Sequence, residues 1–257
     1  MRFRRRMWNR PRAVKQSGRK PTALVLYSGS DALDYAAIPD ILMIDRYPVP
    51  WLPLANFSQH VRLARFAAGQ RKPLIAVIQA FDWSYHPESL DHRPNLRVPT
   101  YQEIRCMTYC ALTEGANGLF YYAYDDGKWQ MREHPATWDA LRKVVGEVNQ
   151  RLPFFTARHP WSGVYVNYPD WASGWNESLN SAVITALLEV AAGNATVKKG
   201  RYVLGVNTTG RSLNFQVHLP SVPGTIEVFE ENRNIMVNAG VFSDEIGPYA
   251  VHVYGPF

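Results

Sequence analysis

Between Thr22 and Gln150, short runs of continuous apolar residues alternate with segments whose apolar positions recur every three or four residues. The runs Thr22–Tyr27, Asp40–Ile44, Pro73–Gln79 and Gly118–Tyr122 read as strands, nearly continuous in apolar residues as strands covered on both faces are. The segments between and after them read as helices. Asn56–Gly69 gathers Phe57, Val61, Ala64 and Ala68 on one face. Tyr101–Glu114 does so with Ile104, Met107 or Thr108, and Ala111, and Trp138–Leu152 with Leu141, Val145 and Val148. Thr100 with Glu103 three residues later forms a capping box for the middle helix, and Gly115 is its stop. Four strand and helix units in succession predict a parallel sheet.

After Pro153 the helical period disappears. Candidate strands lie at Gly163–Asn167, Ile184–Ala191, Tyr202–Asn207, Leu213–Leu219, Thr225–Glu230, Ile235–Val237 and Tyr249–Tyr254, with turn residues between them. Leu213, Phe215, Val217 and Leu219 alternate strictly with polar residues, which requires a sheet with one buried face. The expected architecture is therefore α/β plus all-β. Residues 21–155 form the βα part, and residues 156–257 form a small antiparallel β-sandwich of about seven strands. Pro153 and Pro160 interrupt both periods at the boundary.

Composition narrows the class. An apolar share of 46% in 257 residues supplies a sizeable core, and aromatics at 13% exclude a disordered chain. The net charge of +6 is localised: residues 1–20 hold nine Lys or Arg and no acid, while the remainder carries 19 positive and 22 negative charges. That basic arm reads as an unstructured leader, or as a start inside a longer gene, rather than as a grip on nucleic acid or an anionic surface. No apolar stretch is long enough for a membrane span, no signal peptide is visible, and the compartment stays unassigned. The two cysteines, Cys106 and Cys110, sit four apart on a helix and suit a buried apolar role. No metal or cofactor signature is present; His86 and His92 lack both ligand spacing and a third ligand.

Four segments carry a family resemblance: Asp40–Pro48, Lys72–Trp83, Pro99–Arg105 and Gly115–Tyr122. They resemble the last four units of a (β/α)8-barrel glycoside hydrolase of the β-galactosidase type, and Gly240–Tyr254 resembles the closing strand of the β-sandwich that ends such enzymes. The resemblance implies a half TIM-type barrel followed by a β-sandwich. It also implies that the general acid/base, carried on the fourth barrel strand, has no counterpart here. The nucleophile, a Glu at the end of the seventh strand, corresponds to Gln79, whose neutral amide cannot attack an anomeric carbon.

Barrel chemistry gathers on the loops after the strands. Here those loops offer Asp45, Arg46 and Tyr47; then Gln79, Phe81, Asp82, Trp83 and Tyr85; then Tyr121, Tyr122, Tyr124, Asp125, Asp126 and Trp129. Aromatic platforms beside carboxylates and amides suit a pyranose, with its C–H faces and hydroxyl rim. The expected site uses Tyr47, Gln79, Phe81, Trp83, Tyr122 and Tyr124 as substrate contacts, with Asp45 and Asp125 (or Asp126) as a catalytic carboxylate pair. The competing reading of Asp45 is an ion pair with Arg46. A second aromatic group, Tyr165, Tyr168, Trp171 and Trp175, is the alternative sugar surface. The expected partner is carbohydrate, together with a homo-oligomeric copy or a complementary barrel half, since a half barrel leaves sheet edges and apolar faces bare.

Overall fold

The structure, a computed structural model, describes residues 20–86, 94–160, 164–167, 182–219 and 224–257. Nearly all of the basic arm and the aromatic residues Tyr168, Trp171 and Trp175 lie outside the described residues. The first half is a parallel sheet in the order β1 (Ala23–Leu26), β2 (Ile41–Ile44), β3 (Leu74–Gln79), β4 (Gly118–Tyr122). Helices α1 (Ala32–Tyr35), α2 (Leu54–Ala68), α3 (Tyr101–Thr113) and α4 (Pro135–Gln150) follow these strands, and a short turn α5 (Leu152–Phe155) leads on to the β-rich part.

Local chemistry sets the helix ends. Thr100 accepts a hydrogen bond from the Glu103 N–H while the Glu103 carboxylate accepts from the Thr100 N–H, which satisfies two donors that the first turn leaves free. Gly115, at φ +82°, ends that helix in the left-handed region. Helix α4 starts at Pro135, earlier than the apolar spacing predicts, because proline in the first turn loses no hydrogen bond. Its buried stripe is Thr137, Leu141 and Val144, and Val145 points outward.

The strands are not covered on both faces as expected. Leu42, Ile44, Leu74, Ala76 and Ile78 are buried in one cluster with Phe57, Val61 and Ala64 of α2 and Ile104, Met107 and Ala111 of α3. The opposite, concave face carries Val25, Met43, Val77 and Phe120; Val25 is 49% and Phe120 55% exposed. An apolar run alone cannot say whether its second face has a cover.

The second half contains two antiparallel sheets. The five-stranded sheet runs β10 (Arg233–Val237), β9 (Gly224–Val228), β12 (Val251–Tyr254), β7 (Gly200–Asn207), β6 (Val183–Val190). The three-stranded sheet runs β11 (Val241–Ile246), β8 (Leu213–His218), β5 (Tyr165–Asn167). Strand β11 escapes the sequence pattern because Ser243, Asp244 and Glu245 dilute its alternation, although Phe242 and Ile246 are buried. Phe215, Val217 and Phe242 of the smaller sheet meet Val203, Ile226, Val228 and Tyr254 of the larger in one apolar cluster.

The other face of the five-stranded sheet joins the first core. Ile184, Leu188, Leu204, Val206, Val251 and Val253 belong to the same buried cluster as the βα helices. Beside this seam Glu147 accepts from Arg105 at 2.8 Å and from the Tyr109 hydroxyl at 2.7 Å, and lies 2.6 Å from Arg151, which also reaches Glu230 after β9.

A polar knot holds the outer end of the β part. Burial alone would raise the Asp244 carboxyl, but hydrogen bonds from His252, the Arg233 guanidinium and the Tyr254 hydroxyl outweigh it and hold the pKa far below the usual range. A depressed folded-state pKa gives stability that is complete above the unfolded value, about 4, and is lost as pH falls toward the folded one. Asp244→Asn is therefore expected to cost about 1.5–3 kcal/mol at neutral pH. Melting temperatures taken between neutral pH and about pH 2 should fall less steeply for the variant than for the wild type.

Candidate functional site

Three consecutive strand ends place their side chains around one concavity of about 470 Å³, lined by Val25, Met43, Val77 and Phe120 below and by Asp45, Tyr47, Phe81, Trp83, His86 and Tyr122 above. The Asp45 N–H donates to the Leu26 carbonyl, which fixes the chain as it leaves β2. Arg46 turns away from Asp45: its Nε donates to Asn56 and its guanidinium sits 4.3 Å from the Tyr27 ring centroid. The Asp45 carboxyl is instead raised by burial, and its Oδ1 is buried without a hydrogen-bond partner among the described residues.

Tyr47 stacks on Tyr122 at 5.6 Å and packs edge-on against Phe81 at 5.2 Å and Trp83 at 6.2 Å. Its hydroxyl is held protonated, first by burial and then by the charges of Asp45 and Asp126, so it is a donor across the working pH range. Trp83 opens a short 3₁₀ turn capped by Asp82, whose carboxylate accepts from the Ser84 N–H. The Trp83 indole N–H is buried and, among the described residues, has no acceptor. A buried donor and a buried acceptor left open beside one hollow are the arrangement that a hydroxylated ligand completes.

The loop after β4 separates two adjacent acids. The Asp125 carboxylate, which sequence reasoning favoured, is exposed and accepts from the Gly127 N–H. Asp126 faces the aromatic group: its Oδ1 accepts from Lys128 and Trp129 N–H groups, and its Oδ2 lies 3.1 Å from His86 Nε2. Burial pushes the Asp126 pKa up, yet those backbone donors, Tyr122 and His86 together bring it below the usual value. Neighbouring residues in a turn point in different directions, so Asp-Asp in sequence cannot reveal which one turns inward.

Other expected contacts lie elsewhere. Gln79 is fully buried; its Oε1 accepts from the Val49 N–H at 2.9 Å, and its Nε2 donates to the Val49 carbonyl at 2.9 Å and to the Phe81 carbonyl. The amide clamps the loop after β2 and has no face left for a sugar hydroxyl. Phe81 does line the hollow, but as a buried ring packed 4.9 Å from Trp83. Tyr124 is 62% exposed and packs edge-on against Trp138 of α4 rather than with the Tyr47 group. His86, 5.2 Å from Phe81, and Trp51, 6.0 Å from Trp83, join the cluster without any sequence spacing that marked them. Among the described residues no group of three or more His, Cys, Asp or Glu is placed to hold a metal ion, and no helix is long and apolar enough to cross a membrane.

The parallel βα sheet with its polar and aromatic residues on the loops after the strands, followed by antiparallel sheets, is similar in fold to a solved glycoside hydrolase structure. The particular structure that carries this statement is the β-galactosidase from Bacillus circulans sp. alkalophilus, 8% identical, with a TM-score of 0.57 over 91% of this chain and 63% of that chain. A glycoside hydrolase family 5 protein from Bacteroides vulgatus (14% identity, TM-score 0.44, 87% of this chain and 56% of that chain) superposes less closely. So does an α-amylase from H. orenii (9% identity, TM-score 0.46, 98% and 56%). The chain thus spans less than two thirds of the length of each of these structures. At such identities the likeness is one of fold. The sequence matches no described family and no curated protein.

Proposed function

We propose that the chain binds carbohydrate on the rim formed by Asp45, Tyr47, Trp83, Tyr122 and Asp126. In this reading residues 21–155 are a half (β/α) barrel and residues 156–257 an antiparallel β-sandwich that braces it. The observation that carries the reading is the pair of open polar atoms, Trp83 Nε1 and Asp45 Oδ1, set beside the stacked Tyr47 and Tyr122 rings in one hollow. The rings offer faces to sugar C–H groups, the indole N–H donates to a hydroxyl, and Asp45 and Asp126 accept from hydroxyls. Hydrolysis is not part of the proposal: the position that the family resemblance gives to the nucleophile is the sealed Gln79 amide, and Asp45 and Asp126 are assigned to sugar hydroxyls. The open concave face favours a companion role, in which the rim is one wall of a site that another polypeptide completes.

Trp83→Ala is expected to weaken oligosaccharide binding by about 5- to 150-fold, from loss of about 1–3 kcal/mol of burial and stacking. Isothermal titration with a panel of gluco-, xylo- and galacto-oligosaccharides reads this, with Tyr124→Ala expected to bind as the wild type does. Equal affinity in Trp83→Ala, or no binding to any member of the panel, would overturn the proposal. Aryl glycosides should show no turnover.

A further inference from the structure

The concave face of the sheet is apolar, and both of its margins are open. Val25 on β1 and Phe120 on β4 are exposed, and among the described residues no strand pairs with the outer edge of β1 or of β4. Parallel sheets stand with both faces covered, and bare edges recruit further strands.

The helical layer repeats the asymmetry. Leu33 of α1 is exposed at one end of the layer and Trp138 and Val145 of α4 at the other; α2 and α3 lie between them, with Phe66 of α2 exposed on the outer surface.

We infer that a second copy of this chain closes this face, about a twofold axis parallel to the strands. Such an axis keeps all strands pointing the same way. It sets β4 of each copy beside β1 of the other, so one operation pairs both bare edges in parallel and makes an eight-stranded barrel. A twofold axis perpendicular to the strands would join like edges antiparallel and leave the other two edges bare. The inward residues fit the first arrangement. Val25 and Val77 come from the alternate strands β1 and β3, and Met43 and Phe120 from β2 and β4. With their symmetry mates each pair becomes a layer of four side chains from alternate strands, which is how a closed barrel is filled. The same rotation brings the α4 flank, with Trp138 and Val145, against the α1 flank of the partner, with Leu33. Both rims then face each other across one mouth, so the wall missing opposite Asp45 and Trp83 is the partner's. The inference rests on the half-barrel reading and not on the sugar.

Light scattering coupled to size exclusion, across a dilution series, should give twice the mass of one chain. Phe120→Lys and Val25→Lys, each altering a side chain already exposed in the single chain, should give the monomer mass with an unchanged far-ultraviolet circular dichroism spectrum. Phe66→Lys, at an exposed apolar position on the outer helical surface, should stay dimeric. A wild-type monomer at every concentration, a dimer that survives both concave-face substitutions, or a dimer dissolved by Phe66→Lys would overturn the inference. Oligosaccharide titration separates this from the binding proposal: a dimer that binds no sugar overturns only the latter, and a monomer that binds sugar overturns only the former.

Discussion

Gln79→Leu is expected to lower stability by about 2–6 kcal/mol, because it strands two buried backbone groups at about 1–3 kcal/mol each. Those groups are the N–H and carbonyl of Val49, which is buried and meets the Gln79 amide at 2.9 Å on both sides. For a chain of this size the loss corresponds to a fall in melting temperature on the order of 10 °C, readable by calorimetry. Gln79→Glu makes the sharper test. An ionised carboxylate there would face the Val49 and Phe81 carbonyls, so its folded-state pKa is raised above the usual glutamate value of about 4.3. A raised folded-state pKa means that this variant's deficit is absent below pH about 4 and grows as pH rises through the folded value. The same substitution should not create glycosidase activity, since the new carboxyl would be sealed from the rim. A variant as stable as the wild type at pH 7, or one that turns over aryl glycosides, would show that this side chain faces the hollow.

The second large effect is expected at Phe154, on the short turn that leads out of the helical layer. Its ring is fully buried and lies 4.9 Å from Tyr202 of β7 and 5.3 Å from Phe229. Phe154→Ala should cost about 3–5 kcal/mol, the transfer of the ring plus the cavity it leaves. Because the cluster containing Phe154 runs from α2 and α3 to β6, β7 and β12, the βα half and the β half should unfold together. Urea titrations followed by far-ultraviolet circular dichroism and by tryptophan fluorescence should give one coincident midpoint, lowered in the variant. Two separated transitions in the wild type would contradict a shared core.

Much of the frame was legible because it depends on neighbours in the chain. The strands Leu74–Gln79 and Gly118–Tyr122, the capping box at Thr100 and the stop at Gly115 rest on interactions spanning a few residues. The loops that carry the site were legible for the same reason, since any βα unit delivers the residues after its strand to one end of the sheet. Asp45, Tyr47, Trp83 and Tyr122 accordingly line one hollow in the structure.

What the amino-acid sequence determined by itself is thus the order of elements, the strand ends that bear aromatics and acids, and the absence of an acid at position 79. What only the tertiary structure decided is where each of those side chains points and what it spends its polar atoms on. Gln79 turns under the loop to hold Val49, 30 positions away in the chain; Asp126 rather than Asp125 turns toward His86; Arg46 leaves Asp45 for Asn56; and the face bearing Val25 and Phe120 stays open. The physical reason is common to all four. A hydrogen bond or an ion pair is satisfied by whichever partner the fold brings within about 3 Å, and a run of apolar residues has the same composition whether its second face is covered or bare.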